Sequence, residues 1–131
     1  MANEIGAQFQ LRCVNDELND YYTSISMQID QDVARLVRNV QNIGTVAEAL
    51  EPGDLITPGF AVFVNLTDPD ADPAPTNYVE VGLYISGTFY PFLKLKPGEQ
   101  CGPMRLGIGT TEIYAMASAD TVELFYIIYN D

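Results

Sequence analysis

The sequence predicts an all-β protein that folds as an antiparallel sandwich or barrel. Apolar and polar residues alternate with a period of two over many short stretches, which is the pattern of strands with one buried face. Turn-forming residues separate these stretches, among them Pro52-Gly53-Asp54, Ser86-Gly87 and Pro97-Gly98. Short strands divided by such turns are typical of sandwiches and barrels.

The alternation continues along most of the chain. Phe9, Leu11 and Cys13 alternate with polar neighbours, and residues 21–29 repeat the pattern. Pro91 lies inside a later stretch and indicates an edge strand or a bulge, because proline has no N–H group for the ladder. The later predicted strands cover residues 60–66, 79–85, 89–95, 113–117 and 122–128.

Residues 33–43 fit two patterns. Val33, Leu36, Val37 and Val40 have the spacing of an amphipathic helix, with Asp30 or Asp32 as the N-cap and Gly44 as the stop. Read with a period of two, the same segment gives a weaker strand. The pattern alone favours the helix.

Size and charge limit the class of protein. With 131 residues, 47% of them hydrophobic, we expect one sandwich domain over residues 1–131, with residues 1–8 as a candidate flexible arm. The formal net charge is -12, which repels nucleic acid and anionic membranes. No apolar stretch reaches the roughly 18 residues of a membrane span. We therefore expect no nucleic acid and no membrane among the partners.

The residue types argue against an enzyme. The sequence contains no histidine, which removes the commonest general base and excludes Ser-His-Asp and Cys-His systems. No pair of carboxylates stands out as buried. We expect no catalytic residues and no cofactor.

An acidic, proline-rich segment covers residues 68–75. Asp68, Asp70 and Asp72 have the spacing that begins a calcium loop, but Pro73 and Val79 occupy the positions that need glycine and glutamate. We expect an exposed loop and no metal site.

The two cysteines, Cys13 and Cys101, lie far apart in the sequence. A chain of this size can build a core without a disulfide, so we expect both to be reduced core thiols.

The last predicted strand is apolar on both faces. Val122, Leu124, Tyr126 and Ile128 form one face, and Phe125, Ile127 and Tyr129 form the other. Because an antiparallel strand normally keeps one solvent-exposed face, the second apolar face is covered either by another layer or by a neighbouring subunit.

Basic residues are scarce in this sequence. They are either surface salt-bridge partners or docking residues for an acidic partner or subunit: Arg35, Arg38, Lys94 and Lys96.

A series of short motifs runs between residues 33 and 129: Asn39-Val40-Gln41-Asn42-Ile43-Gly44-Thr45, Thr57-Pro58-Gly59-Phe60, Asn77-Tyr78-Val79-Glu80-Val81-Gly82 and Phe92-Leu93-Lys94-Leu95-Lys96-Pro97-Gly98-Glu99. In these motifs the chain resembles a group of small virion proteins of tailed phages, among them the capsid decoration (cement) proteins. The acidic segment 68–75 departs from that group and looks like an insertion.

The resemblance implies a non-enzymatic structural protein of the particle. It implies a jelly-roll-like β-sandwich of about eight strands, with at most one short helix. For residues 33–43 the resemblance favours a strand over the helix. It also implies a homo-oligomer, a trimer, that binds the major capsid protein on the head surface after assembly in the bacterial host cytoplasm.

Two alternatives stay open. The chain could be a component of the tail or baseplate, or a carbohydrate-binding β-sandwich module. Because the sequence has no tryptophan, a sugar platform would have to use Tyr21, Tyr22, Tyr84 or Tyr90.

Overall fold

The computed structural model describes residues 5–15, 18–29 and 35–131, and none of these residues is helical. The chain divides into two compact units, Met1–Asp32 and Val33–Asp131. The sequence predicts one domain over residues 1–131, with a candidate flexible arm at residues 1–8. In the structure, residues 5–8 belong to the first strand.

The first unit is a hairpin. Strands β1 (Ile5–Asn15) and β2 (Leu18–Ile29) pair antiparallel, in a register that places Ile5 opposite Ile29 and Cys13 opposite Tyr21. The register shifts between Cys13 and Asn15. Both strands were predicted from their alternating pattern.

The second unit is built from eight strands in two antiparallel sheets of four. The first sheet has the order β3-β10-β5-β8, and the second sheet has the order β4-β9-β6-β7. The strands are β3 (Leu36–Ile43), β4 (Glu48–Ala49), β5 (Pro58–Asn65), β6 (Val79–Ile85), β7 (Thr88–Leu95), β8 (Gln100–Arg105), β9 (Tyr114–Ala117) and β10 (Val122–Asn130).

The strand pairs of the second unit are nested in sequence. The innermost pair is β6 with β7, and β5 with β8, β4 with β9 and β3 with β10 enclose it in turn. A chain that is folded back on itself in this way and rolled into two sheets is a jelly roll. The prediction of an all-β, jelly-roll-like sandwich of about eight strands is confirmed.

Residues 36–43 form a strand, so the helix that the pattern alone favoured is wrong. β3 pairs with β10 along its whole length, from Leu36 opposite Tyr129 to Ile43 opposite Val122. This pairing satisfies the backbone groups along one edge of β3, and Val37 and Ile43 pack against the core. The tertiary pairing therefore outweighs a helical spacing of only a few apolar residues.

The core lies between the two sheets. β10 contributes alternate residues to it, and Leu124 and Tyr126 are 0% exposed. The other sheet covers them with Val79 and Val81 from β6 and Ala115 from β9. Among the residues whose burial the structure describes, the remaining buried apolar ones are Ile43, Leu50, Ala61, Phe63, Leu95, Leu106, Ile113, Ala117, Val122 and Ile128.

Pro91 lies on an edge strand next to a bulge, as predicted. β7 is the last strand of the second sheet, and its register with β6 shifts between Val81 and Gly82. At this shift the backbones approach so closely that a Cβ atom on Gly82 would collide with the carbonyl oxygen of Tyr90. Only glycine fits there without a displacement of β7.

Candidate subunit interface on the outer face of the first sheet

β10 presents apolar side chains on both faces of the first sheet. Leu124, Tyr126 and Ile128 are buried in the core, whereas Phe125, Ile127 and Tyr129 are half-buried and alternate with them. Successive side chains of a strand point to opposite faces. Phe125, Ile127 and Tyr129 therefore lie on the outer face, where the second sheet does not cover them.

The neighbouring strands extend this apolar surface on either side. On β3, Leu36 is 53% exposed and Val40 is 49% exposed. On β5, Val62 and Val64 are half-buried in the outward positions. The register aligns the side chains in three rows, which are Leu36–Tyr129–Phe60, Arg38–Ile127–Val62 and Val40–Phe125–Val64. We call this three-row surface the outer apolar face.

Two arginines stack on aromatic rings of the outer apolar face. The guanidinium carbon of Arg38 lies 5.5 Å from the ring centroid of Phe125, and that of Arg105 lies 4.5 Å from the centroid of Phe60. Both distances are within the range of cation–π contacts. Arg105 also forms an ion pair with Asp131, with 2.7 Å between Nη1 and Oδ1.

Arg35 lies immediately before β3, two residues from Val37, which packs against the core. Nη1 of Arg35 donates a hydrogen bond to the carbonyl oxygen of Asp54 at 3.1 Å. Four of the residues that the sequence singled out therefore lie on the outer apolar face: Phe125, Ile127, Tyr129 and Arg38. Arg35 is not among its three rows.

The two lysines lie elsewhere. Lys94 is on β7 in the second sheet, where its Nζ lies 3.8 Å from the ring centroid of Tyr78 and its register partner is Glu80. Lys96 follows β7, and its backbone N–H donates to Oε2 of Glu99 at 2.8 Å. The structure therefore does not bring the lysines together with the arginines.

Sequence reasoning missed the contribution of β3 and β5 to this surface. The sequence does indicate an outward apolar surface on β5, because Val62, Phe63 and Val64 are consecutive and a strand that is apolar at every position has two apolar faces. In the structure Phe63 is buried in the core, and its neighbours lie on the outer apolar face.

Of the tyrosines considered for a sugar platform, Tyr84 and Tyr90 lie on opposite faces of the second sheet, because Tyr90 pairs with Leu83, the neighbour of Tyr84. Tyr84 stacks on Tyr114 with 5.1 Å between ring centroids and 21° between ring planes, so one face of its ring is occupied. Tyr90 is 54% exposed on β7. The side chains of Tyr21 and Tyr22 lie outside the described residues.

The acidic loop is exposed and internally hydrogen-bonded. Oδ1 of Asp68 accepts a hydrogen bond from the backbone N–H of Asp70 at 2.9 Å. Among the described residues, no three Cys, Asp or Glu side chains are grouped as metal ligands.

Cys101 is a half-buried free thiol on β8, with its Sγ 3.7 Å from Sδ of Met104. Burial raises the pKa of this thiol above its usual value. The side chain of Cys13 lies outside the described residues.

A mostly apolar cleft opens at one end of the sandwich, with a volume of about 190 Å³. Leu50, Leu55 and Ile56 line it together with Ile128, and Glu112 is its one ionisable lining residue. Thr110 and Thr111 lie beside Glu112 in the lining.

The fold and the outer apolar face define a small jelly-roll protein with an apolar sheet surface framed by arginines. Comparisons with protein-family models, with curated proteins and with solved structures found no match to this chain. Within the described part of the chain, no helix is long and apolar enough to span a membrane.

Proposed function

We propose that this protein is a non-enzymatic structural protein of a tailed-phage particle, of the capsid decoration (cement) type. In this proposal it assembles in the bacterial host cytoplasm as a homo-oligomer, a trimer. It then binds the major capsid protein on the head surface and stabilises the shell. The observation that carries the proposal is the outer apolar face.

The outer apolar face has the composition of an interface. Protein–protein interfaces are rich in aromatic residues and arginine and poor in lysine and acidic residues at their centres. The three rows contain Phe125, Tyr129 and Phe60 together with aliphatic residues, and Arg38 is their only charged residue. A contiguous apolar surface of this kind on a small protein marks a contact site.

The charge of the chain favours a closed assembly. Each copy has a formal net charge of -12, so open-ended stacking would accumulate repulsion with every added copy. In a closed ring the number of copies is fixed, so the repulsion between copies does not grow further. This supports a small oligomer such as a trimer over a filament.

The fold is compatible with the proposal at the level of analogy. Jelly rolls occur in viral capsid domains and in lectins, so the fold alone does not choose between them. The outer apolar face and the resemblance in the motifs between residues 33 and 129 favour the capsid role over the lectin role.

Size-exclusion chromatography with light scattering, with and without purified heads that lack this protein, tests the proposal. We expect a mass above that of one chain in solution and co-elution with the heads. A protein that is monomeric and does not bind heads would contradict the proposal.

A carbohydrate-binding module is the second candidate, and the exposed Tyr90 is the observation that favours it. Binding to a glycan array that is lost in Tyr90→Ala would support this candidate. If the same variant binds phage heads as the wild type does, the result supports the structural role.

A further inference from the structure

The two four-stranded sheets end in four edge strands, and three of these strands have features that oppose the addition of another strand. β4 contains only two residues. β7 contains Pro91 and β8 contains Pro103, and the register of each with its neighbour is interrupted. Short strands, prolines and bulges are the features by which proteins prevent a foreign strand from pairing with a sheet edge.

The fourth edge strand, β3, lacks these features. It is eight residues long, contains no proline or lysine, and pairs with β10 from Leu36 to Ile43 without a register shift. Because β3 ends its sheet, alternate residues direct their N–H and C=O groups away from β10. In the described part of the chain, no other backbone segment hydrogen-bonds to these groups. The outer edge of β3 is therefore open to one further strand.

This edge is basic, although the chain is acidic. Arg38 is the only charged residue of β3, Arg35 precedes the strand, and residues 39–47 contain no acid. The chain has 18 acidic and 6 basic residues, yet Arg38 forms no ion pair with a described residue. Its guanidinium lies over the ring of Phe125, and its side chain is exposed. An added strand gains stability when it places a carboxylate opposite Arg38.

The residues beside Arg38 define the rest of the matching pattern. Leu36 and Val40 lie on the same face as Arg38 and are 53% and 49% exposed. Asn42 is next on this face, and its register partner Glu123 disfavours a second acid there. The best match is therefore a strand with an acidic residue between two apolar residues on one face. A second copy of β3 does not fit this pattern, since it brings another arginine and no carboxylate.

We propose that the open edge of β3 binds an extended segment of another protein by β-strand addition, and that this segment has an acidic residue between two apolar residues on one face. Backbone hydrogen bonds to β3 provide the affinity, and the carboxylate opposite Arg38 sets the register. The inference goes beyond the proposed function, because it concerns the edge of the first sheet rather than the outer apolar face and requires no phage particle.

A synthetic heptapeptide tests the inference. Acetyl-Thr-Val-Thr-Asp-Thr-Val-Thr-amide places Val, Asp and Val on one face, and its symmetrical order gives the same pattern in either strand direction. Amide hydrogen exchange followed by NMR shows where the peptide binds. With saturating peptide, we expect amides within residues 36–43 to exchange at least about tenfold more slowly and the amides of β7 and β8 to keep their rates. The same peptide with proline at its third and fifth positions should protect no amide, because proline cannot complete the ladder.

An exchange of charges tests the role of Arg38. A peptide with lysine in place of aspartate should bind the wild-type protein about fivefold more weakly, because like charges would then lie opposite each other. Arg38→Glu should reverse this preference. Lys94→Glu is the matched control, since it changes the net charge equally but lies on β7 in the second sheet, and it should keep the wild-type preference.

Four results would overturn the inference. They are unchanged exchange in residues 36–43, equal protection by the proline peptide, an unchanged charge preference in Arg38→Glu, and protection of β3 amides when the protein alone is concentrated. The last result would mean that a second copy occupies the edge. Each of these results leaves the mass and head binding of the wild-type protein as separate measurements, so the proposed function is judged independently.

Discussion

The hydroxyl group of Tyr126 donates a hydrogen bond to the carbonyl oxygen of Glu51 at 3.1 Å. This bond links the middle of the first sheet to the segment that follows β4. The same hydroxyl accepts a hydrogen bond from Nδ2 of Asn39 at 3.3 Å and lies 3.2 Å from Oε1 of Gln41. Gln41 in turn accepts from the N–H of Glu51 and donates to Oε1 of Glu48, both at 3.1 Å. The network therefore holds β3, β4 and β10 together on the core side.

Tyr126→Phe should reduce the free energy of unfolding by about 1–2 kcal/mol, because it removes a buried donor and leaves the Glu51 carbonyl without its partner. Urea unfolding at pH 7 measures the loss. A variant with wild-type stability would show that the hydroxyl contributes nothing to the fold.

The same substitution should change the pH dependence of stability. Burial raises the pKa of Tyr126 above its usual value of about 10, so the folded state favours the neutral phenol. The stabilisation is complete below about pH 10 and is lost as the pH rises toward the folded-state pKa. Stability curves between pH 8 and pH 11 should therefore fall less steeply for Tyr126→Phe than for the wild type.

Gly82→Ala should destabilise the sandwich by about 1–3 kcal/mol, since the new Cβ would collide with the backbone of β7. Gly107→Ala is the control, because a Cβ at that position meets no atom within 4 Å. Thermal unfolding of both variants tests the difference. Equal melting temperatures would mean that β7 moves aside at no cost.

Sequence reasoning predicted the fold from patterns that are local. Alternation and turn residues locate most strands, and Pro91 locates the edge of the second sheet. Residues 36–43 are different, because their conformation depends on the distant partner β10. No local pattern contains that information.

The candidate interface was predictable only in part. Phe125, Ile127 and Tyr129 stand out because both faces of their strand are apolar. The contribution of Leu36, and the separation of Lys94 from the arginines, depend on the order of strands in the two sheets. The composition of a strand does not reveal its neighbours.

Deleting residues 68–75 should leave the fold and the oligomer mass unchanged. The loop is exposed apart from Pro75, and a change in the length of an exposed loop costs only about 0.6 kcal/mol per doubling. Pro69 does contact the turn at Gly98, where an added Cβ would lie 2.9 Å from its Cγ. Circular dichroism and light scattering on the deletion variant decide whether that contact is needed, and an unfolded variant would give the loop a structural role.

A lysine on the outer apolar face should dissociate the oligomer. Val40 and Ile85 are each 49% exposed, but Val40 lies on the outer apolar face opposite Phe125, whereas Ile85 ends β6 in the second sheet. Val40→Lys would place a charge in the contact while the monomer tolerates it, since lysine is common on edge strands such as β3.

Loss of an interface anchor costs about 2 kcal/mol or more, which is a roughly thirtyfold weaker association. We therefore expect Val40→Lys to lower the mass found by light scattering and to weaken binding to heads, with an unchanged circular dichroism spectrum. Ile85→Lys should retain the wild-type mass. The half-buried Ile127 provides a second test, because Ile127→Lys should dissociate the oligomer more completely. If Val40→Lys and Ile127→Lys both stay folded with wild-type mass and head binding, the outer apolar face is not the contact surface.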